Sequence, residues 1–197
     1  GSGGMDDLTI RPLSALEYAH LALLDSGYTT REVFAVSTVQ MPDHVQFDLR
    51  LTTLEQPFVK RYPPPDAATC EQFAALARDG HVFGAFVGEA CAGIAITEPH
   101  AWNQSLWVHE FHIAPAQQRH GVGRLLMERV IAAAQAQHLR CVVCETQNTN
   151  IPAIRFYRAL GFTLDGLDLS LYSNYDRERG EIVVYLKRPV DAGDAPS

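Results

Sequence analysis

Phe111–Val130, FHIAPAQQRHGVGRLLMERV, carries an apolar segment into a Gln-Arg-His-Gly-Val-Gly-Arg loop and then into an amphipathic run. Before it, SLWVHEFHI reads as a strand. After it, Val122, Leu125, Leu126, Val130 and Ala133 follow helical spacing. A helix N-terminus presents N–H groups without partners and a partial positive charge, so anions settle there. Gly121 and Gly123 let the backbone come close to a ligand, and Arg119 and Arg124 add charge suited to phosphate. Strand, glycine loop and helix together describe a pyrophosphate cradle. A dinucleotide fingerprint would need a third glycine where Leu126 stands, and a P-loop would need Gly-Lys-Ser/Thr. Taken alone, the Gly-x-Gly pair is also compatible with a turn that merely starts a helix.

Working outward, SALEYAHLALLDSG reads as a first helix, capped by Ser14 and stopped by Gly27. VFAVSTVQ and HVQFDLRLTT form a hairpin across Met-Pro-Asp, and the prolines of KRYPPPD forbid helix. TCEQFAALARDG has the capping-box spacing of Thr69 and Gln72, with Gly80 as its stop. HVFGAFVG and CAGIAIT make a hairpin across Gly-Glu-Ala. LRCVVCET is a strand, NIPAIRFYRALG a helix, and FTLDGLDLSLY and EIVVYLKR the closing strands. The order predicts one mixed α/β domain over residues 5–190, with helices packed on a central sheet. Residues 1–4, ahead of Met5, read as an expression scar, and residues 191–197 as a flexible tail.

The chain has 197 residues, 47% hydrophobic and 20% charged, with a formal charge of −7. That excludes a disordered chain and argues against a general nucleic-acid binder, while an acidic surface suits a cationic partner. No apolar run is long enough to span a bilayer. Cys70, Cys91, Cys141 and Cys144 read as free thiols of a cytoplasmic protein. Cys141 and Cys144 point to opposite faces of one strand, and no second pair completes a zinc set. His109 and His112 of HEFH are likewise expected on opposite faces, so no metal is expected.

QQRHGVGRLL resembles the Gln/Arg-x-x-Gly-x-Gly/Ala signature of the GNAT superfamily of N-acetyltransferases. Downstream, Asn150, Ala153, Tyr157, Gly161 and Phe162 resemble a second motif of that superfamily. The resemblance spans about residues 69–188. It implies a mostly antiparallel sheet splayed around acetyl-CoA, with helices on both faces. It also implies that Gln118, Arg119, His120, Gly121, Val122, Gly123 and Arg124 hold the pyrophosphate. Phe111, His112 and Ile113 would pair with the pantetheine arm, and Asn150, Ala153 and Tyr157 would complete the cofactor site. CETQNTNIPAIRFY, LDLSLYSNY, EIVVYLKR and the earlier EQPFVKRYPP are similar to the streptothricin acetyltransferase group. That narrower resemblance implies acetylation of a β-lysine amine on an antibiotic.

Acyl transfer to an amine needs the neutral amine, although a lysine-like group has a pKa of about 10.4 in water. A carboxylate can take the proton, and Glu110 and Glu145 both qualify as catalytic base or as grip for a cationic acceptor. A backbone N–H of Phe111–Ile113 can receive the developing oxyanion. The resemblance gives Tyr157 the role of proton donor to the departing thiolate; without it, Tyr157 reads as a core aromatic. Acids outnumber arginines in 165–181 (Asp165, Asp168, Asp176, Glu178, Glu181) and in 25–55. With Tyr172 and Tyr175, Asp165 and Asp168 form the expected wall for a small cationic amine. An aminoglycoside, a polyamine or a peptide amine remains open as acceptor, as do a non-catalytic acetyl-CoA sensor and a homodimeric assembly.

Overall fold

The computed structural model describes residues 7–25, 27–118 and 120–190. The expected scar, Arg119 and the expected tail lie outside the described residues. In chain order the elements are β1 (Leu8–Pro12), α1 (Tyr18–Ala22), β2 (Tyr28–Met41), β3 (His44–Lys60), α2 (Ala67–Arg78), β4 (Val82–Val87), β5 (Ala90–His100), β6 (Ser105–Ile113), α3 (Val122–Ala136), β7 (Cys141–Gln147), α4 (Ile151–Ala159), β8 (Thr163–Asp168), α5 (Asp176–Arg179) and β9 (Val183–Pro189). They fall into two compact units. Of the described residues, one holds 7–25, 62–118, 120–144 and 188–190, the other 27–61 and 145–187.

The first unit is a sheet in the order β1-β4-β5-β6-β7. Its pairs are antiparallel except β6 with β7, where Ser105–Val108 run parallel to Cys141–Cys144. A parallel pair needs a crossover, and α3 supplies it. One face buries Phe86, Ile94 and Ile96 under Leu24 and under Phe73, Leu76 and Ala77 of α2. The other face buries Ala85 and Ala92 against Val122 of α3. Small residues on that side let α3 come close. A Cβ on Gly93 would lie 2.7 Å from Ile113 Cδ1 and 3.1 Å from the His112 carbonyl. Cys141 and Cys144 are both buried, and neither is in a disulfide.

Three expectations change here. The first helix is only five residues, and its N-cap is Glu17, whose backbone N–H donates to His20 Nδ1 at 3.0 Å, rather than Ser14. Asp66, not Thr69, caps α2, accepting from the Thr69 N–H at 2.8 Å. A carboxylate at the N-cap also favours the helix dipole, which a Thr–Gln pair does not. Leu8–Pro12 forms an edge strand that the sequence did not announce. It is too short for clear alternation, and pairing with β4 makes it a strand.

The second unit holds the β2–β3 ribbon, α4, α5 and a sheet edge in which the end of β7 is followed by β9 and then β8. The ribbon runs from Tyr28↔Lys60 to Met41↔His44, so Pro42 and Asp43 form the turn. At its open end it runs further, to Tyr28 and Lys60, than its β-branched centre suggested. Gly27 starts it, because any Cβ there would sit 1.8 Å from the Lys60 carbonyl oxygen. The strand expected to run to Tyr172 ends at Asp168, where the Asp168 carboxylate accepts from the Ser170 N–H at 2.9 Å and turns the chain.

Asn148, 1% exposed, fastens this unit. Its Nδ2 donates to the Phe34 carbonyl at 2.8 Å and to the Gly180 carbonyl at 2.9 Å, and its Oδ1 accepts from the Ile182 N–H at 2.8 Å. Replacing it by leucine would remove the partner of the buried Ile182 N–H and of the part-buried Phe34 and Gly180 carbonyls. A buried group left unsatisfied costs about 1–3 kcal/mol, so Asn148→Leu is expected to lose about 2 kcal/mol or more in urea unfolding. A loss under about 1 kcal/mol would show that the backbone finds other partners.

Candidate active site

β6 carries the first set of polar groups. Ile96 pairs with Glu110 and Thr97 with Val108, so His109 is an extra residue in the strand. The bulge overrides strict alternation. His109 faces Phe73 of α2, ring to ring at 6.3 Å, and meets Glu98 Oε2 at 3.4 Å. Glu110 and His112, opposite Ile96 and Ile94, lie on that same side, which corrects the expected placement of His109 and His112 on opposite faces. Glu110 Oε2 and His112 Nε2 are 2.6 Å apart. Burial pushes the Glu98 carboxyl up, but His109, His100 and Gln72 outweigh it and hold Glu98 below the usual carboxylate range.

Beyond Val108 the ladder to β7 ends, and β6 continues to Ile113 paired only with β5. Gln118 Nε2 then reaches back to the Ile113 carbonyl at 3.3 Å. Gly121 is the N-cap of α3 at φ +81°, a left-handed conformation that favours glycine, and no side chain caps the helix. The N–H groups of the first turn, from Val122 to Arg124, therefore carry the helix dipole without a capping oxygen. This fits a phosphate-bearing ligand. The Val122 side chain is buried against Ala85 and Ala92, so only its backbone can serve a ligand. His120, Gly121 and Arg124 are exposed.

In the second unit, Asn150 caps α4 by accepting the Ala153 N–H at 3.2 Å. Tyr157 is 7% exposed, its ring 5.6 Å from both Phe156 and Phe162. The core and catalytic readings of Tyr157 share this environment, since a phenol can pack its ring and still use its hydroxyl.

Alternation along β7 separates two roles. Within β7 Thr146 is buried while Glu145 and Gln147 lie on the other, more open side; Asn148 and Thr149, in the turn that follows, are both buried. Tyr172 donates to Glu145 Oε1 at 3.2 Å and accepts from Gln147 Nε2 at 3.2 Å. Tyr28 donates to Gln147 Oε1 at 3.3 Å and lies 2.6 Å from Thr149 Oγ1. Tyr28 is itself held by EQPFVK: Phe58 packs on its ring at 6.1 Å, and Lys60 pairs with Glu181 at 2.6 Å. Burial, then the charges of Glu145 and Asp168, push the Tyr185 phenol above its ordinary value. Glu145 and Asp168 thus share one neighbourhood with Tyr172 and Tyr185.

The wider acidic wall is not what residue counts implied. Asp176 is buried, accepting the Tyr172 N–H at 2.8 Å and the Ser173 hydroxyl at 2.7 Å. Glu32 pairs with Arg155 at 2.9 Å, and Asp48 with Arg50 at 2.7 Å. Asp165 is exposed and engaged by Thr163 of its own strand, and Tyr175 is exposed beside Arg179. Gln147, Thr149, Tyr28 and Tyr185 were missed; the unbroken polar run from Glu145 to Asn150 at the end of an apolar strand was the available signal. Among the described residues, no group of three or more His, Cys, Asp or Glu side chains is arranged to hold a metal ion.

Comparison with known proteins decides the lineage. Residues 48–162 match the model of the acetyltransferase (GNAT) family. The chain belongs to this family. It is 33% identical over 177 residues to a streptothricin acetyltransferase of Streptomyces lavendulae, covering 84% of this chain and 86% of that one. A streptothricin acetyltransferase of Escherichia coli is 27% identical over 82% of this chain and 84% of its own. Among solved structures, a nourseothricin acetyltransferase superposes with TM-score 0.74 at 30% identity, covering 94% of this chain and 99% of that one. A structure described as a Bacillus anthracis streptothricin acetyltransferase with acetyl coenzyme A superposes at 0.70 with 18% identity, covering 93% and 98%. The fold is the mixed α/β fold of this family, and the chain is a GNAT acetyltransferase acting on an amine.

Burial pushes the Asp176 carboxyl up, but hydrogen bonds from Ser173 and Tyr172, with Arg179 nearby, hold it below the usual range. The folded value is depressed, so its stabilisation is present above the unfolded pKa of about 3.9 and is lost as pH falls through the folded value. Asp176→Asn is therefore expected to lower Tm at pH 7 and to flatten the fall of Tm on the acid side. Parallel Tm–pH curves for the two proteins would refute this role.

Proposed function

We propose that this GNAT enzyme transfers acetyl from acetyl-CoA to a primary amine of streptothricin, as an antibiotic-modifying enzyme. The observation that carries the reading is the grouping of Glu145, Asp168, Tyr172 and Tyr185, two carboxylates beside two phenols on the second unit. Carboxylates with aromatic faces attract and orient an ammonium group. The 33% identity to a streptothricin acetyltransferase supports the choice of acceptor.

Acetyl-CoA supplies an activated thioester. The uncapped N-terminus of α3, with Arg119 and Arg124, holds its pyrophosphate, and Phe111–Ile113 binds its arm through backbone groups. Glu145 grips the acceptor ammonium and takes its proton; Glu110, bonded to His112, is the competing base. Tyr157 gives a proton to the departing thiolate.

The test follows thiol release with streptothricin, kanamycin and a lysine-bearing peptide. Turnover with streptothricin alone is expected. Tyr157→Phe should lower kcat by about 10²-fold, within the range of acid–base contributions. Glu145→Gln should raise the KM for streptothricin by roughly tenfold, a single charged contact. Thiol release with kanamycin or peptide but not with streptothricin would overturn the assignment of the acceptor.

A further inference from the structure

We propose that Gln147 is a positioning residue: it commits the Tyr172 hydroxyl hydrogen to Glu145 and so presets that carboxylate for the acceptor amine. The proposal rests on the reading of Glu145 as the group that meets the acceptor.

The argument is one of hydrogen counting. A carboxylate only accepts, so the 3.2 Å bond between Tyr172 and Glu145 Oε1 uses the single hydrogen of the phenol. Gln147 must then meet the Tyr172 oxygen with N–H, which it does through Nε2 at 3.2 Å. The reversed amide would set its oxygen against the Tyr172 oxygen, with no hydrogen between them. The orientation so fixed turns Gln147 Oε1 toward Tyr28, which donates to it at 3.3 Å. With the Tyr28 hydrogen used, the 2.6 Å contact with Thr149 runs from the Thr149 hydroxyl to the Tyr28 oxygen.

Thr149, Tyr28, Gln147 and Tyr172 thus donate in one direction, and the series ends on Glu145. Bonds aligned in this way polarise one another. A glutamine amide does not pass a proton along, so the series orients and does not conduct. Tyr172 is 47% exposed and Glu145 is exposed, and exposed side chains exchange rotamers freely. Thr149, 3% exposed and fixed at the base of the series, is the rigid end from which the order propagates. Holding the carboxylate before the amine arrives removes an ordering cost from binding.

The test is a double-mutant cycle with Gln147→Met and Tyr172→Phe, assayed with streptothricin. Gln147→Met is expected to raise the streptothricin KM about tenfold and to leave the acetyl-CoA KM within about twofold. In the Tyr172→Phe background the same change should have an effect of about twofold or less, because the hydrogen that Gln147 directs is gone. A tenfold effect in both backgrounds, or none in either while Glu145→Gln still raises the streptothricin KM, would overturn the proposal. A crystal structure of Gln147→Met gives a reading that does not depend on turnover. Tyr172 should leave Glu145, and a retained bond would overturn the positioning role. If Tyr172 leaves but neither Gln147→Met nor Glu145→Gln changes the streptothricin KM, the assignment of the acceptor to Glu145 falls and the positioning role stands.

Discussion

The second unit depends on one buried amide. Asn148 donates to Phe34 and Gly180 and accepts from Ile182, which ties the ribbon, the turn after α5 and the start of β9 to the end of β7. Every capacity of its side-chain amide but one lone pair is used, in a place that water does not reach. Within β7, Glu145 and Gln147 alternate with the buried Thr146, and the turn that follows carries the anchored Asn148. A slip of one residue in β7 would bury Glu145 and expose Thr146, leaving a desolvated charge.

The first unit uses irregularity instead. Its bulge at His109 turns that side chain to the side of Phe73, together with Glu110 and His112. A second bulge, between Ala85 and Phe86, lies where β5 reaches α3. Ala92 there faces Val122 and lets the helix start close to the sheet. Where β6 leaves its pairing with β7, its backbone continues toward the glycine loop. Sheet irregularities of this kind re-aim side chains without a change of fold.

Electrostatics in this protein is a matter of partners more than of totals. A net charge of −7 invites the picture of a general acidic wall. Several acids of the two regions singled out for it have a structural use: Glu181 holds Lys60, Glu32 holds Arg155, and Asp176 shapes the loop that carries Tyr172. Glu145 and Asp168 are the two carboxylates whose charges reach Tyr185. Asp176 still serves the site, since it fixes the backbone on which Tyr172 stands.

The sequence by itself determined the types of the long elements and their order, because hydrophobic period and glycine or proline punctuation are local signals. It determined the glycine loop at the start of α3 and the two motifs that mark the family, for the same reason. It did not reveal the caps of α1 and α2, where several polar residues competed and only folded geometry selected Glu17 and Asp66. It did not reveal the bulge at His109, since an extra residue is visible only against the strand it pairs with. Nor could it join Tyr28 to Thr149, or Tyr172 to Glu145, pairs separated by 121 and 27 positions. Hydrogen bonds between distant residues leave no period in the chain. They exist only once the ribbon and the end of β7 have folded together, and it is the tertiary structure that decides which hydrogen each hydroxyl gives and to whom.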